Sequence, residues 1–175
     1  DFLVDEQVKN ETYQNPNSTQ VLKNIRSTKF TSGIYDYAIH TSVFTPLDVA
    51  NHRTLKVTNT MQEWCGTSFL QLNKKDVGYN LEQRSYFEKE GDRSVNLKGA
   101  VVEDALFNQV RMDYKKLPVG EIEVIAKLSY LALKHKELKS YEANGELGSY
   151  NGGVFDGEEL LEYTYSIADQ QRKVS

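Results

Sequence analysis

The stretch SGIYDYAIHTSVF, residues 32–44, constrains this chain more than any other. Tyr35, Tyr37, Ile39, Thr41 and Val43 fall on one side of a period of two, and Asp36, Ala38, His40 and Ser42 on the other. A helix scatters that pattern around its circumference, whereas a half-buried strand keeps it on two faces. The period returns in EIEVIAKLSYLAL, where Ile122, Val124, Ala126, Leu128 and Tyr130 align, and in EELLEYTYSI, where Leu161, Tyr163, Tyr165 and Ile167 align. With 11 Tyr and 7 Phe against 2 Met, the side chains suit sheets better than helical packing. The expected fold is mainly β: a curved antiparallel sheet, or an incomplete β-barrel or sandwich, with one short α-helix near 101–111. That helix is read from AVVEDALFNQV, whose Val102, Ala105, Leu106 and Val110 form one apolar stripe.

The remaining chain is punctuated by turn chemistry. Residues 1–9 read as a strand and 10–20, rich in Asn, Ser and Thr with Pro16, as a loop. Pro46 ends the strand that begins near Tyr35. TLKVTNTMQEWC and TSFLQLN meet at Gly66, where the alternation slips; a bulged bend in one long strand is favoured over a turn between two. NKKDVG and then Gly91-Asp92 turn the chain through YNLEQRSYFEKE into RSVNLKG, an antiparallel meander. Asn144-Gly145 has the composition of a two-residue hairpin turn, and SYNGGVFDG that of a loop. No internal repeat or linker divides the 175 residues, so one β-rich domain is expected. The chain starts without Met and stops at RKVS as a further strand begins, so it reads as a fragment or a processed form.

Composition removes several functions. A net charge of −4 with scattered Lys and Arg argues against a nucleic-acid partner, which demands a concentrated basic surface. LKHKELK, residues 133–139, is the one basic cluster; it reads as a solvated strand face, with contact to an anionic lipid or glycan surface as the alternative. One cysteine precludes an internal disulfide, and His40, His52 and His135 are too widely spaced for a local metal motif. No apolar run approaches 18 residues, no phosphate loop opens a helix, and NGGVFDGEE lacks calcium-loop spacing. No cofactor and no metal are expected.

EWCGTSFLQLN, residues 63–73, holds the only tryptophan and the only cysteine, and supplies the candidate site. A redox thiol would open a helix, but TSFLQLN has strand composition. In an extended strand Cys65 shares the face of Leu55, Val57 and Met61 as a small buried side chain, and Trp64 points the other way as a core anchor. On an outer face Trp64 would instead bind a sugar ring or a protein. A hydrolase would need His40 or His135 brought to Cys65, or carboxylates such as Glu63 with Glu82 or Asp36 with Glu123 facing across a cleft. Asp36 and His40, four apart on a strand, stand about 13 Å apart and form no dyad. The candidate binding or structural residues are therefore Glu63, Trp64, Cys65 and His135, with no catalytic residue assigned.

TSGIYDYAIHTSVFTPL, LKVTNTMQEWCGTSFLQLN, SYFEKEGD and LPVGEIEVIAKLSYLALKHKELKSYEA together resemble an uncharacterised family of Bacteroidota secreted lipoproteins, over most of residues 1–143. QEWCG and LPVGEI are the most specific blocks. Some members carry the label septum-formation inhibitor Maf, but the Ser-x-Ser-Pro-Arg-Arg segment of true proteins of that name is missing here. The resemblance implies a lipid-modified cysteine before Asp1, a further β segment after Ser175, and a place in the cell envelope as an outer-membrane lipoprotein facing the periplasm or the cell surface. The strand-rich pattern, the aromatic alternation, that location and the lack of a catalytic set together lead to the expectation of a non-catalytic domain binding an apolar ligand, a glycan or an envelope protein. A subunit of an outer-membrane assembly or export machine is the alternative, and a hydrolase using Cys65 or paired carboxylates the other.

Overall fold

A computed structural model of the chain describes residues 1–48, 53–98, 101–150, 161–170 and the backbone of 172–174. Strands are β1 Phe2–Leu3, β2 Ser18–Thr19, β3 Val21–Ser32, β4 Tyr35–Pro46, β5 Lys56–Gln62, β6 Thr67–Lys74, β7 Tyr79–Ser85, β8 Arg93–Leu97, β9 Val101–Val102, β10 Gly120–Ile125, β11 Tyr141–Ser149, β12 Leu161–Ile167 and β13 Arg172–Val174. A helical segment runs from 103 to 116, with α1 Leu106–Asp113 between two 3-10 turns, and α2 spans Leu128–Leu133. The fold is mainly β, 52% strand against 15% helix, and its sheets are curled, a half-barrel among them.

β3 to β8 form a six-stranded meander in sequence order, every neighbour antiparallel. The second sheet has the order β13-β12-β11-β10-β9, with β9 parallel to β10 and the other pairs antiparallel. The alternation in β4 is realised: Ile39, Thr41 and Val43 are buried, and their cross-strand row continues through Val57, Leu72 and Leu81. Val43, Val57, Leu70, Leu72 and Leu81 expose none of their surface, each burial being worth about 1.5–3 kcal/mol. α2 packs on β4, β5 and β6, while the segment from 103 packs on β4 and β3. One contiguous apolar cluster joins the inner face of the meander to Leu128 and Leu131 of α2 and to Val124, Tyr141, Tyr165 and Ile167 of the second sheet. The inner face is thus filled by the protein's own side chains.

Several elements differ from the pattern read along the chain. Only Phe2–Leu3 of residues 1–9 is strand; a turn at 4–6 brings Lys9 back to a single antiparallel bridge with Phe2, and Phe2 stacks on Phe44 with ring centroids 4.7 Å apart. Residues 21–32, whose sequence carries no clear apolar period, form one of the two longest strands among the described residues. As an edge strand β3 turns Asn24 and Arg26 inward, a polar inner row that hides its period.

The expected single strand through Gly66 is a hairpin. β5 ends at Gln62, β6 starts at Thr67, and the Glu63 N–H donates to the Gly66 carbonyl at 3.0 Å. Glycine is needed there because a Cβ would meet the Tyr86 ring at 2.5 Å. Cys65 and Trp64 are consequently lifted out of the sheet and exposed, not buried.

The helix expected near 101–111 runs later, with Val101 and Val102 in strand β9 and Val110 exposed. The strand expected through Leu128 and Tyr130 stops at Ile125 and gives way to α2. Leu128, Leu131 and Ala132, all buried, are spaced i, i+3, i+4, so both periods fit these residues, and packing selects the helix. Residues 134–139 therefore leave a helix, and the basic cluster is no strand face. Asn144 and Gly145 lie inside β11, where Gly145 admits the Pro118 carbonyl oxygen, 2.4 Å from where a Cβ would stand. β13 follows β12. The SYNGGVFDG loop lies, apart from Ser149 and Tyr150, outside the described residues, as does His52.

Candidate functional site

In a meander, alternate turns emerge at the same end. The turns after β3, β5 and β7 therefore share one end of the sheet, and each presents aromatic or apolar side chains: Ile34 and Tyr35, then Trp64, then Tyr86 and Phe87. Trp64 is 65% exposed and Ile34 72%. Side chains this apolar left in water at one end of a sheet are the exception on a folded surface.

The Trp64 turn is nevertheless fixed. Glu63 accepts a hydrogen bond from the Tyr86 hydroxyl at 2.8 Å. Partial desolvation, together with the Glu63 carboxylate that they approach, raises the pKa of the Tyr37 and Tyr86 hydroxyls above the ordinary tyrosine value. These phenols are therefore hydrogen-bond donors at neutral pH. The Tyr35 ring meets Trp64 edge-on, centroids 6.1 Å apart, and Tyr37 stacks on Phe30 at 4.8 Å.

His135 reaches the same end from the other half of the chain. Its ring meets Phe87 at 4.5 Å, and Phe87 in turn lies 4.2 Å from the Tyr86 ring. Its Nδ1 is 2.7 Å from Glu90, whose carboxylate also accepts from Ser85 at 2.6 Å and from Gln83 at 3.1 Å. The backbone of His135 is left-handed, φ 50°. Glu63, Trp64, Cys65 and His135 are thus connected through Tyr86 and Phe87. No histidine bonds Cys65 among the described residues: His40 faces Ser27 at 2.9 Å and His135 faces Glu90. The carboxylate pairs are not assembled either. Glu63 is taken by Tyr86 while Glu82 stands 3.8 Å from Arg84, and Asp36 accepts from Thr31 while Glu123 lies across from Glu142 in the other sheet.

Beside Trp64, on the outer face of the meander, is an open depression of about 670 Å³ bounded by Lys29, Asp36, Gln62 and Trp64, with Ala38 beneath. A second of about 480 Å³ shares Ala38 and Gln62 and reaches Phe69 and Arg84. A third, of about 580 Å³, lies against His135, Phe87 and Arg93. No group of three His, Cys, Asp or Glu among the described residues is placed to hold a metal, and no helix among them is long and apolar enough to cross a membrane.

Sequence reasoning missed a buried charge cluster. Glu103 and Asp104 open the helical segment and are 1% and 0% exposed. Glu103 accepts from the Tyr165 hydroxyl at 2.5 Å and from the Lys127 N–H at 3.0 Å. Asp104 accepts from the Leu128 N–H at 2.8 Å and from Arg26. Burial pushes the Asp104 carboxyl up, and Arg26 and that N–H oppose the rise. The two carboxylates cap the start of α2, and Arg26 and Lys127 both lie over the Phe107 ring, at 5.7 and 5.9 Å. With its carboxylates engaged internally, the cluster is a joint between sheets. The adjacent acidic pair at a helix start is its only trace in the sequence. No family model, no curated protein and no solved structure matches this chain.

Proposed function

We propose that this chain is a non-catalytic binding domain of the cell envelope, and that it engages its ligand through the end of the meander that carries Trp64. The reading rests on one observation: a tryptophan 65% exposed but held in a turn that the Tyr86–Glu63 hydrogen bond ties down, with the Tyr35 ring edge-on against the indole. Rigid exposed aromatics bind at low conformational cost because little rotamer freedom remains to be lost. An apolar ligand has no room on the packed inner face, so the reading narrows to an envelope glycan or protein. The envelope location, as an outer-membrane lipoprotein facing the periplasm or the surface, rests on the family resemblance. Metabolic labelling of the complete protein with an alkyne fatty acid tests it; an unlabelled protein in the envelope fraction removes the anchor.

The binding reading is tested with Trp64→Ala. Retention of the purified chain on isolated outer-membrane fragments should fall at least tenfold, with far-UV circular dichroism unchanged because the side chain contributes little to the core. Equal retention by the variant overturns the reading. Membership of a larger outer-membrane assembly is the second reading, favoured by β3, a 12-residue edge strand with Ile25 60% exposed. It predicts a stable companion in pull-downs of the complete protein.

A further inference from the structure

We infer that the outer face of the meander beside Trp64 is a trough for a neutral oligosaccharide; this deepens the binding reading and rests on it. Register places the trough along one ladder row. Lys29, Ala38, Gln62 and Thr67 are successive cross-strand neighbours on β3 to β6, and the next row holds His40, Thr60, Phe69 and Arg84. Ala38 is the reason for the hollow. A methyl group stands where its neighbours carry Lys29 and Gln62, and the two depressions of about 670 and 480 Å³ meet over it. The result crosses several strands, an elongated shape that suits a linear chain of rings better than a compact molecule.

The lining chemistry is that of a sugar. A pyranose presents apolar C–H faces and a rim of paired hydroxyls. The Trp64 ring offers an exposed apolar face at one end, and the half-buried Phe69 a second one further in. Between and beside them stand planar polar groups, Asp36, Gln62 and Arg84, which accept from or donate to two neighbouring hydroxyls at once. Cations and anions alternate along the trough, Lys29 with Asp36 and Arg84 with Asp92, which favours a neutral chain over a polyanion. A membrane fits less well. Inserting the hairpin tips into lipid would carry Glu63, Glu88 and Lys89 with Trp64 and Phe87, and burying charges in an apolar medium is costly.

Trp64 is the only tryptophan in the chain, so its emission reports the site directly. The 175-residue chain is titrated with cellohexaose, maltohexaose, mannohexaose and chitohexaose, and with vesicles of phosphatidylethanolamine and phosphatidylglycerol. The expected result is a saturable blue shift with at least one oligosaccharide. Calorimetry should show the same affinity, at least tenfold weaker in Trp64→Ala and in Ala38→Leu. The second variant fills the trough from its floor, on the face away from the core, and leaves the tryptophan in place. A response to vesicles alone overturns the inference, as does sugar binding that Ala38→Leu leaves intact, since the tips then bind without the trough. Silence towards every oligosaccharide with Trp64-dependent retention on envelope fragments overturns the trough and leaves the binding reading standing; silence in both assays removes the two together.

Discussion

Glu63 decides how Trp64 is presented. The hydroxyl of Tyr86 bonds it, and both Tyr37 and Tyr86 have folded pKa values above the ordinary 10.0, by desolvation first and by Glu63 second. The stability these phenols contribute is complete below pH 10 and is lost as the pH rises through their raised values. In Glu63→Gln the carboxylate charge is gone, so the late-titrating part of the absorbance at 295 nm should move to lower pH. Tyr79, Tyr141 and Tyr163, raised chiefly by burial away from Glu63, should titrate as before. An unchanged titration curve would mean that the carboxylate does not act on the phenols. The glutamate and tryptophan could be singled out by type, but their exposure could not. That depends on Gly66 closing a turn under the Tyr86 ring, a residue 20 positions further along.

Among elements, α2 shows how tertiary contacts choose between two local periods. Its six residues are too few to be stable as an isolated helix, and its N-terminal N–H groups are met by Glu103 and Asp104. Asp104→Ala leaves the Leu128 N–H without its acceptor and Arg26 without its partner. Unfolding free energy measured in urea should fall by about 3 kcal/mol, the lower part of the range for a broken buried pair, because Arg26 keeps some solvent. Asp104→Asn, which retains an acceptor for that N–H, should lose less. If the two variants were equally stable, the capping role would be wrong. Within the meander β4, β7 and β8, with the turns that flank β7, follow from alternation and turn residues, whereas β5 and β6 read as one bent strand. β3 was not, because an edge strand that faces Asn24 and Arg26 inward carries no apolar period.

Across the whole molecule, the apolar cluster continuous from Ile39 to Ile167 binds the two large sheets through α2. Ile125, fully buried at the junction of β10 and α2, should cost about 2–5 kcal/mol when replaced by Ala. Hydrogen exchange should then show amides of β6 and β11 losing protection together, since one shared core unfolds as a unit. Separate transitions would show that the sheets are energetically independent.

Alternation and turn residues along the chain were sufficient for a mainly β, curled fold and for an antiparallel run between residues 67 and 97, because side-chain period is a local property of the backbone. Only tertiary structure decided that Trp64 faces water, that His135 arrives beside Phe87, and that Glu103 and Asp104 cap a helix more than 20 residues away. Those outcomes turn on which distant groups fill a space or satisfy an N–H, and no window of neighbouring residues contains that information.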